Sequence, residues 1–119
     1  MEYNISQAPE SYDGEGYVSL GKKITTEDGT LIALCDAGFG LCRDASIDLW
    51  VEEPYRSQGF GSFLLRETER DAKEKGAYLM DFGAFDWQVE FFQKNGYTVC
   101  STTEDCPKGH KFFVLRKEL

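Results

Sequence analysis

"LWVEEPYRSQGFGSFLLRETERDAKEKG", residues 49–76, joins two different hydrophobic periods through a turn that carries little side chain. In ASIDLWV (45–51), Ile47, Leu49 and Val51 alternate with Ser46, Asp48 and Trp50, the period of two that marks a strand with one buried face. Beyond the turn the period lengthens to nearly four. Gly61, Leu64, Leu65, Thr68 and Ala72 share one helical face, while Arg66, Glu67, Arg70, Asp71, Glu74 and Lys75 lie elsewhere, and Gly76 is placed to stop the helix. Arg70–Glu74 and Asp71–Lys75 stand at four-residue spacing, each pair worth about 0.3 kcal/mol on an exposed face. A glycine turn between strand and helix either saves space or holds an anion.

The flanking sequence supplies the rest of the sheet. YVSLGKKI (17–24) and LIALCDAGFG (31–40) read as strands joined by a hairpin in which Asp28-Gly29 suits positive φ. After Gly76, AYLMDF (77–82) is a strand. Asp86 is placed to cap a short helix, WQVEFFQKN (87–95), which Gly96 ends, and YTVCS and KFFVLRKEL close the chain as two strands. The strand–helix–strand unit from IDLWV to YLMDF must be a right-handed crossover between parallel strands, with hairpins on either side. The expected class is α/β (α+β): a mixed, mostly antiparallel sheet in one domain spanning residues 1–119, with 1–16 a polar N-terminal arm.

Composition narrows the function. The 119 residues carry a formal charge of −8, the reverse of the basic footprint that nucleic acid requires and compatible with a cationic small-molecule acceptor. No apolar run approaches the ~18 residues that span a membrane, and MEYNISQAPE lacks a signal-peptide pattern, so a cytoplasmic protein without nucleic-acid or membrane partners is expected. Cys35, Cys42, Cys100 and Cys106 lack close C-x-x-C spacing and His110 is the single histidine, which favours free thiols over a metal site.

Three anion-binding devices place glycines before a helix. The dinucleotide fingerprint fails because Leu64 stands where its third glycine belongs, and a P-loop fails because no lysine follows Gly61. The third, R-x-x-G-x-G, is present as Arg56, Ser57, Gln58, Gly59, Phe60 and Gly61, a nest of amides at a helix N-terminus suited to a diphosphate. With its neighbours this stretch resembles the central acetyl-CoA-binding motif of the GNAT N-acetyltransferase superfamily. FFQKNGY resembles that family's F-Y-x-K-x-G-F/Y segment, and EDCPKGHKFFVLRKEL its closing strands in a bacterial subgroup. The resemblance runs in order from about residue 17 to 119.

That resemblance implies two parallel strands splayed into a V that holds acetyl-CoA as cosubstrate. It assigns the amide of Val51 to pantetheine and to the thioester carbonyl or oxyanion. The amides from Gln58 through Gly59, Phe60 and Gly61 to Ser62, beside Arg56 and Ser57, are assigned to the pyrophosphate. The reaction expected is acetyl transfer to a primary amine. An alkylammonium of pKa near ~10.4 must first lose a proton, and Asp48, on the strand face shared with Ser46 and Trp50, is the candidate base. The family's usual acid for the departing sulfur is a tyrosine at a position occupied here by Phe92; Tyr97, Tyr78 or water are the substitutes available, and His110 is a further acid or base. The alternative is a CoA-binding module with little catalysis. The resemblance also implies an opening strand and one or two amphipathic helices ahead of Tyr17, where this sequence has only its polar arm. An uncovered first edge is then expected, a liability that a homodimer relieves.

Overall fold

A computed structural model describes residues 17–40 and 43–119; the expectations for the arm and for Cys42 lie outside the described residues. The chain runs β1 (Val18–Thr25), β2 (Leu31–Phe39), β3 (Asp44–Val51), a single 3-10 turn (Glu53–Tyr55), α1 (Phe60–Glu74), β4 (Leu79–Phe85), α2 (Val89–Lys94), β5 (Thr98–Glu104) and β6 (Lys111–Glu118). The strands form one six-stranded sheet in the order β1-β2-β3-β4-β6-β5. Every neighbouring pair is antiparallel except β3 and β4, as expected for strands joined through a helical crossover. Gly29 takes φ 91° in the β1–β2 turn, and Gly76 takes φ 107° directly after α1, so both stops act where the sequence placed them.

The buried stripe of α1 holds Leu64, Leu65, Thr68 and Ala72, the face read from the sequence, together with Glu69. Leu64 packs against Ala33 and Cys35 of β2, while Leu65 and Ala72 join Phe39, Ala45, Met80, Phe82, Phe92 and Leu115 in the larger core cluster. Each leucine so buried contributes about 1.5–3 kcal/mol, which ties α1 to the sheet far more firmly than its surface charges do. Those charges pair differently from the expectation. Arg70 bonds Glu67 at 2.8 Å and Asp71 meets Lys22 of β1 at 3.2 Å, because the β1 ammonium lies within reach of the helix and draws its carboxylates. Neither four-residue pair is formed among the described residues.

A second correction concerns Asp86. Gln88 is the N-cap residue of α2 and no side chain caps that helix. Asp86 turns to β6 instead, where its carboxylate accepts the Lys111 N–H at 3.2 Å and meets the His110 ring.

The parallel pairing is short. It covers only Asp44–Leu79 and Ala45–Met80, after which β3 stays with β2 and β4 stays with β6. The two central strands therefore part after one turn of ladder, and the V opens toward Val51 and Phe85.

Candidate active site

The opening of the V is a cleft of about 770 Å³. Leu49, Trp50 and Val51 form its β3 side; Tyr55, Arg56, Ser57, Gly59, Gly61 and Ser62 form its upper end; Trp87, Gln88, Phe91 and Phe92 form the opposite wall. Val51 is paired with Ala33 across the β2–β3 ladder, while the next residue, Glu52, donates its N–H to the Ile32 carbonyl at 2.8 Å. In an antiparallel ladder the bonded and non-bonded pairs alternate, so the backbone groups of Val51 point away from β2, toward the gap that β4 has left. Leu49 and Ile47, two and four residues earlier, present theirs to the same side. The Val51 carbonyl accepts the Arg56 Nε–H at 2.8 Å, and that bond pins the turn to the strand end.

The glycine turn serves both purposes weighed above. Gly59, with φ 89°, is the N-cap of α1, and an added Cβ would meet nothing within 4 Å, so a glycine is needed there for its backbone conformation. At Gly61 the reason is space, because a Cβ would sit 3.2 Å from the Phe91 ring and 3.7 Å from Val51 Cγ2. Ser57 also takes a left-handed φ of 63°. The first intrahelical hydrogen bond runs from Phe63 N–H to the Gly59 carbonyl at 3.0 Å, which leaves the amides of Phe60, Gly61 and Ser62 ahead of the ladder. No side chain caps them and no acidic residue stands in the first turn, so the positive end of the helix dipole is unopposed. Gln58 folds back, its Nε2–H donating to the Pro54 carbonyl at 3.1 Å. Phe60 points its ring away from the cleft, toward the Ala33–Cys35–Leu64 cluster and an edge contact with Tyr55.

Asp48 lies on the sheet face opposite α1, exposed, and does not line the cleft. It opens on a neighbouring cavity of about 230 Å³ with Tyr17, Ser19, Asp36 and Ser46, and its direct cross-strand neighbour is Asp36. Trp50, two residues along the same face, lines the cleft.

The three tyrosines differ sharply in what they can do. Phe92 occupies the cleft wall, 7 % exposed, edge-on to Phe82 and Phe91. Behind it Tyr97 is buried, and its hydroxyl donates to Glu69 Oε2 at 2.7 Å. Lys117 Nζ completes the group, bonding both Glu69 oxygens at 3.0 and 3.2 Å and the Asn95 carbonyl at 2.9 Å. Burial, and then the adjoining Glu69 carboxylate, push the Tyr97 phenol far above its ordinary range, and its hydroxyl proton is directed to Glu69 rather than to the cleft, which Tyr97 does not line. Tyr78 is exposed beside the closed end of the V, next to the first residue of β4. Tyr55, which the sequence reading left aside, is the tyrosine that lines the cleft.

Trp50, Trp87, Gln88 and Phe91 were likewise not singled out from sequence. Only the divergence of β3 and β4 makes them neighbours, although the aromatic spacing in FDWQVEFF was the available signal.

A family model described as an acetyltransferase (GNAT) domain matches residues 16–99. The blasticidin-S acetyltransferase of Streptomyces morookaense is 34 % identical over 79 residues, 60 % of this chain and 54 % of the relative, so the chain spans about half the length of that curated protein. An acetyltransferase from Bacillus cereus superposes with a TM-score of 0.83 at 32 % identity, covering 99 % of this chain and 84 % of that one. An aminoglycoside 6'-N-acetyltransferase solved with coenzyme A shares the fold, with a TM-score of 0.74 at 13 % identity over 96 % of this chain and 83 % of that one. The fold and the cleft define a splayed-sheet acyltransferase architecture. The chain belongs to the GNAT acetyltransferase family.

Proposed function

We propose that this protein transfers the acetyl group of acetyl-CoA to a primary amine of a small, cationic acceptor. The observation that carries the reading is two sets of backbone N–H groups that face one cleft. One lies on the open edge of β3 at Val51, the other at the N-terminus of α1, whose first turn holds no acidic side chain. In this reading the Val51 amide pairs with the pantetheine arm and polarises the thioester carbonyl. The amides from Gln58 to Ser62 hold the pyrophosphate, where Gly59 and Gly61 allow close approach. Arg56 braces the turn through the Val51 carbonyl and keeps its terminal N–H groups for phosphate oxygens. The coenzyme A complex of the fold relative supports the choice of cosubstrate.

The acceptor side rests on charge. Asp48 and Asp36 face each other on the outer face, beside the Trp50 lip of the cleft, in a chain of net charge −8. Both favour an ammonium group over an anion. Asp48 takes the first proton from that ammonium, and the relative's name, blasticidin-S acetyltransferase, agrees with a small-molecule acceptor.

A thermal-shift titration with acetyl-CoA tests the binding half. At one hundred times Kd, ligand linkage adds about 2.7 kcal/mol, and no stabilisation at millimolar ligand rejects the reading. Thiol release is then followed over spermidine, kanamycin and blasticidin S. Asp48→Asn is expected to lower kcat about 100-fold while the KM for acetyl-CoA stays put. The second reading, a CoA-binding module, is favoured by Phe92, which has no proton to give. Binding without turnover on any amine selects it.

A further inference from the structure

His110 and Asp86 form a pair that the acetyl-transfer reading has not used. Both oxygens of Asp86 lie 3.2 Å from His110 Nδ1. Each partner is anchored through its own backbone. Asp86 N–H donates to the Lys111 carbonyl at 3.0 Å, and the Asp86 carboxylate accepts the Lys111 N–H at 3.2 Å. On the other side His110 N–H donates to the Pro107 carbonyl at 2.8 Å, and its carbonyl accepts Cys106 N–H at 3.1 Å. A carboxylate held at Nδ1 selects the tautomer with the proton there and leaves Nε2 as a free acceptor. The His110 side chain is half exposed.

Its position matters as much as its tautomer. The His110 ring stands edge-on to Trp87, centroids 5.2 Å apart, and Trp87 stacks on Phe85 at 4.7 Å. Trp87 and Trp50 both line the cleft, so the imidazole packs against a residue of the cleft wall. The cleft wall itself offers Phe92 where the family places a phenol, and Tyr97 is bound to Glu69. A histidine is the one side-chain type that both accepts and donates a proton near neutral pH, and this sequence contains a single one.

We propose that His110, oriented by Asp86, relays the acceptor's second proton to the departing sulfur. The inference rests on the acyl-transfer reading above. Over the whole transfer the C–N bond forms, the C–S bond breaks and the ammonium sheds two protons. Asp48 passes the first to bulk water. His110 Nε2 takes the second from the nitrogen once the C–N bond has formed and gives it to the sulfur, which leaves as free thiol beside the amide. His110 returns to its starting state, so the balance needs no other reagent. Asp86 is a positioning residue, acting only through the ring.

Nitrogen-15 NMR of the intact chain, free of any tag histidine, tests this without an acceptor, because its one imidazole needs no assignment. The free protein is expected in the Nδ1–H tautomer, and Asp86→Ala is expected to move the signals toward the Nε2–H form. Adding coenzyme A thiol, with binding confirmed by thermal shift, is expected to shift the imidazole resonances. Unmoved resonances in a protein that has bound coenzyme A overturn the relay and leave the acyl-transfer reading standing. Absence of coenzyme A binding rejects that reading, and the relay with it. On whichever amine turns over, His110→Ala should lower kcat roughly 10- to 100-fold at constant acetyl-CoA KM, and added imidazole should restore part of it. Full activity in His110→Ala also overturns the proposal.

Discussion

Tyr97 shows how little a residue's chemical type says before its surroundings are known. Its ring packs edge-on to Phe92, centroids 5.7 Å apart, and its phenol was a natural substitute acid, yet its hydroxyl donates to a carboxylate from α1 that is itself bound by Lys117 of β6. Tyr97→Phe is therefore expected to cost about 1–2 kcal/mol of stability, since Glu69 loses one donor but keeps the Lys117 ammonium. Urea unfolding measures the loss, and kcat for amine acetylation should not change. A large drop in kcat with little loss of stability would return Tyr97 to the catalytic role. Phe92 was legible from its place in FFQKNGY alone. The fate of Tyr97 was not, because Glu69 is 28 residues away and its burial depends on how α1 seats on the sheet.

At the level of elements, the strand, turn and helix from Asp44 to Glu74 do most of the positioning. Periodicity located both elements, and the positive φ of Gly59 matches what a glycine at a helix N-cap supplies. That Gly61 is small for the sake of Phe91 belongs to α2, and no local pattern foretold it. The short parallel ladder leaves the amides of Ile47, Leu49 and Val51 facing an open gap. Hydrogen exchange should accordingly be fast at these three positions in the free protein and slow when coenzyme A is bound. Leu34 and Trp50, opposite one another in the β2–β3 ladder, should be protected in both states. Equal protection of Val51 with and without ligand would show that β3 takes no part in binding.

At the scale of the whole molecule, burial favours the protonated form of two groups among the described residues. Burial raises the Cys35 thiol above its ordinary value, and burial with Glu69 raises the Tyr97 phenol further. In the unfolded chain these ionise near ~8.5 and ~10, so their stabilisation is complete below those values and is lost as pH rises past them. Above ~10 the phenol alone removes about 1.4 kcal/mol per pH unit. The urea midpoint should thus decline from pH 8.5 and more steeply from pH 10, with Tyr97→Phe blunting the second phase. A flat midpoint from pH 8 to 11 contradicts this.

Local chemistry was sufficient for the order of strands and helices, the glycine turn and the buried stripe of α1, because each depends on side chains within a few residues of one another. The family likeness also came from contiguous motifs, and the matched domain and the fold relatives agree with it. What required the assembled sheet was everything set by contacts between distant segments. These include the place where β3 and β4 part, the burial of Glu69 with Tyr97 and Lys117, the turn of Asp86 from helix cap to histidine partner, and the separation of Asp48 from the cleft. A backbone amide becomes a binding group only when its strand partner leaves, and a carboxylate becomes a clamp only when another element comes within 3.2 Å of it. Both are facts of packing, which one-dimensional order does not contain.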